Sequence, residues 1–313
     1  MEIVIQLLLL VVGFVMLIKG ADWFVEGASK LADKFGIPQL VIGLTIVALG
    51  TSLPEAAVSI SAALKGSAEI TIGNVVGSNI MNVLIILGLT AVVCVIPVQK
   101  STVIFEIPFM IGITVLLAVQ GLTDNVVNRM EGGILWMFMI VYLLYLLKMA
   151  KQGNDTQEEA GQEEKPDSVL KMLVMIIVGA GIIVWGSDIT VDAATVMAKM
   201  FGMSERFIGL TIVALGTSLP ELVTSVTAGI KGKPDIAVGN IVGSNIFNIL
   251  FVVGTTALIT PVLYKADFLV DSITAVAAAV LLFVCVAPGK KLGRVGGALM
   301  LAGYAAYFVY LIQ

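Results

Sequence analysis

The sequence predicts an all-α integral membrane protein, with ten transmembrane helices in two inverted five-helix repeats and broken helices at the midplane. Three observations predict it. The chain of 313 residues is 58% hydrophobic and 13% charged, against about 25% charged in an ordinary globular domain. Apolar runs recur along the whole chain, and a membrane helix needs roughly 20 such residues. Finally, the second half repeats the first.

The repeat is read directly. Residues 42–55 are IGLTIVALGTSLPE and residues 208–221 are the same fourteen residues, at an offset of 208 − 42 = 166. Residues 73–82, GNVVGSNIMN, match residues 239–248, GNIVGSNIFN, at eight of ten positions with that offset. Gly13/Gly179, Gly20/Gly186, Asp22/Asp188, Lys65/Lys231 and Gly88/Gly254 keep it too. One constant offset over about 75 residues marks a duplicated unit.

Five spans fit each half. In the first (1–150) they lie near 3–29, 38–64, 70–94, 102–119 and 130–148. In the second (168–313) they lie near 169–198, 206–230, 236–259, 267–288 and 293–312. The first apolar run, Ile3 to Ile18, lacks a basic start and a small-residue cleavage site, so it is read as a span and not a signal peptide. Five is odd, so the second half enters the membrane upside down, the plan of many secondary transporters with a site between repeats. Between the halves, residues 151–167 (KQGNDTQEEAGQEEKPD) are polar and acidic and cannot pack a core. They read as a solvated linker, with a regulatory cation site at Asp155, Glu158, Glu159, Glu163 and Glu164 as the sharper alternative. An N-terminus outside puts twelve loop Lys and Arg residues inside and five outside. The positive-inside rule then gives a cytoplasmic linker, and a plasma (inner) membrane location is expected.

Composition removes several chemistries. There is no histidine, hence no His-ligated zinc and no His proton relay. Cys94 and Cys285 both lie in apolar runs and read as packing residues, without a disulfide framework. No cofactor and no nucleic-acid partner is expected.

Glu55 and Glu221 carry the functional reading. Each lies deep in a span, where an ionisable group costs a few kcal/mol or more, and no Lys or Arg at matching depth can pair with it. The missing partner is then a mobile cation. Pro54 and Pro220 precede the two glutamates, and each should break its helix by removing an N–H and clashing with the carbonyl four residues back, at Gly50 and Gly216. Freed carbonyls survive in a membrane only where buried or lining a cavity. Thr51 and Ser52 lie four and three residues before Glu55, as Thr217 and Ser218 do before Glu221, so the hydroxyls can share the carboxylate's side of a helix. Asn74, Ser78 and Asn82 form one polar stripe, repeated by Asn240, Ser244 and Asn248. Of these, Ser78, Ser244, Asn82 and Asn248 are read as ligands, and Asn74 and Asn240 as holding structure. Gly73/Gly77 and Gly239/Gly243 read as packing surfaces. Two carboxylates give the site a charge of about −2, matched by one Ca2+ or two Na+, and an all-oxygen donor set suits Ca2+ better than Mg2+ or a transition metal.

At these residues the sequence resembles the sodium/calcium exchanger family of the Ca2+/cation antiporter superfamily, in its prokaryotic form. GTSLPE at 50–55 and 216–221 looks like the signature of the family's two α-repeats, and GNVVGSNIMN and GNIVGSNIFN look like their companion halves. The resemblance implies ten helices, long tilted first and sixth helices, and a four-helix core that opens alternately to either face. It implies Glu55 and Glu221 as shared carboxylate ligands, with Thr51, Ser52, Thr217, Ser218, Ser78 and Ser244 giving hydroxyl or carbonyl oxygens. Ala48 and Ala214 would give backbone carbonyls, and Asn82 would face Asn248 at the centre. Some relatives, including potassium-dependent exchangers, carry Asp where this chain has Asn248, which argues against K+ transport. Exchange of three Na+ for one Ca2+, typical of the family, would be electrogenic. The runner-up is proton-coupled exchange of Ca2+ or another divalent cation on the same scaffold. A passive channel fits an occluding two-carboxylate site less well, and an intramembrane hydrolase lacks a base near its serines.

Overall fold

The structure is a computed structural model that describes residues 2–65, 68, 70–157, 168–202, 214–265 and 268–311. In chain order its helices are α1 (Glu2–Phe35), α2 (Gln39–Thr51), α3 (Leu53–Leu64), α4 (Ile70–Val93), α5 (Thr102–Asp124) and α6 (Arg129–Gln157). They continue with α7 (Val169–Met200), α8 (Ala214–Thr217), α9 (Leu219–Ile230), α10 (Pro234–Ile259), α11 (Phe268–Val286) and α12 (Arg294–Leu311). Among the described residues, eight helices are long and apolar enough to cross a membrane, and the bent pair α2–α3 makes a ninth. The shorter apolar α9 stands where α3 stands in the first half, 166 residues on. The start of its expected span, 206–213, lies outside the described residues, as does 158–167 of the expected linker.

Lipid explains what water would not. Ile3, Leu7, Leu8, Val11, Val15 and Ile18 are exposed along α1, and Leu170, Ile177 and Trp185 along α7. Such a large continuous apolar surface is solvated by acyl chains and not by water. The chain is thus an integral, multi-pass membrane protein. Its most enclosed helices are α4 and α10, the two that carry the polar stripes. Helix α6 runs to Gln157, seven residues past the expected end of the first half.

Small residues set how the halves meet. A Cβ on Gly13 would stand 3.0 Å from the Gly186 carbonyl oxygen, one on Gly20 2.9 Å from the Ile183 nitrogen, and one on Gly27 3.0 Å from the Met172 carbonyl oxygen. Partner numbers fall on α7 as they rise on α1, so these repeat-related helices pack antiparallel. Each ends on a left-handed glycine, Gly36 (φ 62°) and Gly202 (φ 76°), the helix-terminating conformation that lacks a Cβ penalty. The glycines of α10 act as expected, since a Cβ on Gly239 or on Gly243 would lie 2.9 Å from α2 backbone at Leu40 or Leu44, but those of α4 do not: a Cβ on Gly77 meets nothing within 4 Å and one on Gly73 meets only the Phe268 ring at 3.4 Å. Two short antiparallel clips tie the halves together, Ile96–Pro97 with Lys291–Leu292 and Val126–Val127 with Val262–Leu263.

Candidate cation site

The break that the prolines predict is present. Helical geometry stops at Thr51, Ser52 leaves it (φ −86°, ψ 6°), and α3 sets off at 49° to α2. Ser218 does the same between α8 and α9 (φ −95°, ψ 5°). Pro54 and Pro220 fall in the first turn of the new helix, where the absent N–H has no intrahelical role. The consequence is electrostatic. Glu55 and Glu221 stand in those first turns, where the positive end of the helix dipole favours a carboxylate. Both are 0% exposed.

Hydroxyls link the two carboxylates across the halves. Ser52 Oγ donates to Glu221 Oε1 at 3.0 Å, Ser78 Oγ donates to Glu55 Oε1 at 3.3 Å, and Ser78 Oγ lies 3.2 Å from Ser218 Oγ. Here the structure differs from the helical expectation, since Ser52 serves the opposite glutamate and not its own. The reason is the break itself: i, i+3 spacing shares a face only along an unbroken helix. Thr51 Oγ1 donates to Asn240 Oδ1 at 3.0 Å. Thr217 is half-buried and lines a cavity of about 220 Å3 beside Pro54 and Asp188. The Ala48 carbonyl accepts from Ser244 Oγ at 3.4 Å, and Ala214 opens α8. Ser187 Oγ caps the Gly216 carbonyl at 2.8 Å, one of the two carbonyls that the prolines release.

Asn74 and Asn240 hold the breaks in place. Asn74 Nδ2 donates to the Glu55 carbonyl at 3.2 Å and to Ser59 Oγ at 2.9 Å. Asn240 Nδ2 donates to the Glu221 carbonyl at 3.4 Å and to Ser225 Oγ at 2.9 Å. Their side chains are thus spent on structure.

A second set of amides forms the centre, and sequence reasoning missed half of it. Asn79 Nδ2 donates to the Asn245 carbonyl at 3.2 Å, and Asn245 Nδ2 returns the bond to the Asn79 carbonyl at 3.3 Å. Asn82 Nδ2 donates to Asn245 Oδ1 at 2.9 Å, and Asn248 Nδ2 to Asn79 Oδ1 at 3.1 Å. Every bond has its mate at the 166 offset. The signal was present, because Asn79 and Asn245 belong to the repeated GSN of both motifs. They fall off the i, i+4, i+8 stripe, however, and so escape a periodicity search. Asn82 and Asn248 each begin a π-helical segment, Asn82–Leu87 and Asn248–Val253, a wider turn frequent at functional sites.

The network leaves four buried oxygens without a hydrogen-bond partner: Oε2 of Glu55, Oε2 of Glu221, Oδ1 of Asn82 and Oδ1 of Asn248. All four residues are 0% exposed. Native proteins pair the great majority of buried polar atoms, and a buried anion without a counter-charge costs several kcal/mol. Neither glutamate forms an ion pair among the described residues. No group of three or more His, Cys, Asp or Glu residues gathers among them either, so the donors are two carboxylates and neutral oxygens. That chemistry suits a hard cation.

Comparison with known proteins agrees with the motifs. The family model described as "Sodium/calcium exchanger protein" matches residues 5–148 and 171–313. The chain belongs to the sodium/calcium exchanger family. It is 39% identical to the putative antiporter CaxA of Alkalimonas amylolytica over 95% of each chain. Against a sodium/calcium exchanger of Methanosarcina acetivorans it is 30% identical over 99% of each. A solved structure of the sodium-calcium exchanger NCX_Mj, soaked with 10 mM Na+ and zero Ca2+, superposes with a TM-score of 0.83 at 32% identity, covering 98% of this chain and 99% of that one. Membership makes this family member a transmembrane antiporter and not an enzyme. The unmatched stretch, 149–170, contains the polar segment between the halves.

Proposed function

We propose that the protein exchanges Na+ for Ca2+ by alternating access, electrogenically and without K+. The observation that carries this reading is the set of four unpartnered, fully buried oxygens on Glu55, Glu221, Asn82 and Asn248. A Ca2+ ion needs six to eight oxygens. The proposed set adds to these four the hydroxyl or carbonyl oxygens of Thr51, Ser52, Thr217, Ser218, Ser78 and Ser244 and the carbonyls of Ala48 and Ala214. Two glutamates without a basic partner give a charge of −2, which one Ca2+ or two Na+ neutralise. With Asn at 248 no third carboxylate is supplied for K+, and three Na+ against one Ca2+ moves net charge.

The architecture we propose is ten transmembrane helices in two inverted repeats, 1–150 and 168–313, joined by a cytoplasmic linker over 151–167. The N-terminus then faces outward across the plasma membrane. Antiparallel packing of α1 on α7 and the reciprocal amide bonds support the inversion. Coupling follows from shared oxygens: Na+ and Ca2+ compete for one set, and the empty site with two bare carboxylates resists crossing.

The test is uptake of labelled calcium into proteoliposomes loaded with Na+, at clamped voltage and equal pH. Uptake that requires the outward Na+ gradient and vanishes in Glu55→Gln and Glu221→Gln is expected. Uptake indifferent to Na+ but driven by a pH gradient would replace this reading with proton-coupled exchange.

A further inference from the structure

The repeat also carries two acid pairs and two lysines that the cation site does not use. Asp22 and Glu26 lie one turn apart on α1, and Asp188 and Asp192 hold the same places on α7, 166 residues on. Lys65 and Lys231 are the residues that terminate α3 and α9. The two sets are in unlike states. Lys231 Nζ lies 2.6 Å from Asp22 Oδ1 and 3.8 Å from Glu26 Oε2, and donates to the Asp22 carbonyl at 3.0 Å. Lys30 Nζ adds a second cation 2.8 Å from Glu26 Oε1. Lys65, Asp188 and Asp192 are instead exposed and form no ion pair among the described residues.

The packing beneath differs in the same sense. Phe24, Val25 and Ala28 of α1 share a core with Leu219 and Ala228 of α9. Between α7 and α3 there is a gap: the 220 Å3 cavity lined by Pro54, Val58, Asp188, Val191 and Asp192. An apolar groove of about 700 Å3 continues it past Leu53, Ala57 and Trp185. Lys65 lies seven residues beyond Val58, on the same face of α3, at the end of that gap.

We infer that the two lysines are alternating latches. Lys231 on Asp22 and Glu26 holds one mouth shut in this structure. When the molecule turns over, Lys231 releases them and Lys65 closes on Asp188 and Asp192. The inference rests on the alternating-access reading above. Two halves of like sequence have the same two packings available, and in an inverted arrangement one half is closed while the other is open. Lys65 would relieve the repulsion of two carboxylates one turn apart. A surface ion pair is weak, so the latch biases the equilibrium without locking it, as a device that opens every cycle requires.

The test reads the gap itself. Val58→Cys, in a Cys94→Ala, Cys285→Ala background, reports through its rate of reaction with a charged methanethiosulfonate reagent on purified protein. Lys231→Gln shifts the ratio of the two states by at most about fivefold, the range of a surface ion pair, and is expected to lower that rate by up to that factor, with Lys65→Gln leaving it at or above the native value. Lys231→Arg should keep the native rate, and the exchange Lys231→Asp with Asp22→Lys should restore it, which separates a lost latch from a damaged fold. A rate that Lys231→Gln does not lower, or that Lys65→Gln lowers, overturns the latch. Labelling needs no transported ion. Intact Na+-driven calcium uptake with no labelling shift therefore removes the latch alone, whereas absent uptake with the shifts present removes the exchange reading and leaves the latch.

Discussion

Replacing Glu55 by Gln separates charge from shape at the site. The wild-type carboxylate uses Oε1 to accept from Ser78 at 3.3 Å and leaves Oε2 buried and unpartnered. The amide of Gln keeps the volume and can keep the Ser78 bond, but it presents an N–H2 in place of the second oxygen. The site charge falls from −2 to −1 and one ligand becomes a donor. Removing one partner of a buried charge pair costs about 3–5 kcal/mol, and each 1.4 kcal/mol is tenfold. Ca2+ affinity should thus fall by at least ~100-fold. Na+ carries half the charge and should lose less. The empty protein should behave oppositely, because the substitution removes an uncompensated buried anion, so its melting temperature should hold or rise. The assay is calorimetric titration of purified protein with Ca2+ and with Na+, beside thermal melting with and without Ca2+. Ca2+ at 100 times its Kd stabilises by about 2.7 kcal/mol, and the variant should lose that increment at the same concentration. A Ca2+ affinity within threefold of wild type, with the fold intact, would refute Glu55 as a ligand.

Other perturbations address the supports of the site. Asn79→Leu removes an acceptor from Asn248 and a donor to the Asn245 carbonyl; at about 1 kcal/mol or more for each buried group left unsatisfied, it should lower the melting temperature and weaken Ca2+ binding together. Asn248→Asp replaces the donor that reaches Asn79 Oδ1 with an oxygen and adds a third carboxylate, so Ca2+ uptake should fall more steeply with acid than that of wild type, measured as a pH profile of uptake. Gly239→Ala forces a Cβ to within 2.9 Å of the Leu40 carbonyl oxygen and should cost about 1–3 kcal/mol as overpacking, measured by thermal melting. Gly181→Ala meets nothing within 4 Å and should be neutral or slightly stabilising.

Much of this was legible in the chain, for identifiable reasons. Glu55 and Glu221 were readable because a membrane makes an ionisable side chain expensive, and Pro54 and Pro220 because proline breaks a helix wherever it falls inside one. Asn74 and Asn240, read as holding structure, each bond a glutamate carbonyl and a serine hydroxyl. What escaped was geometry across the halves. Nothing in the spacing of Ser52 says that it serves Glu221, since the break that redirects it depends on where α3 goes next. Asn79 and Asn245 lie within the repeated GSN of both motifs, but helical periodicity puts them off the polar stripe. The π-helical turns beginning at Asn82 and Asn248 have no periodic signature at all.

The sequence by itself determined the solvent, the duplication and the chemical type of the site: hydropathy, an offset of 166 and two lone glutamates are local facts that no packing alters. Only the tertiary structure decided which oxygens are already spent on hydrogen bonds and which remain for a cation. It alone also decided which of the two repeat-related lysine and acid sets is paired. Both depend on the relative placement of segments more than a hundred residues apart, and two halves of like sequence admit the same pair of packings. The sequence therefore states that the two halves are alike, while the packed molecule states where they differ.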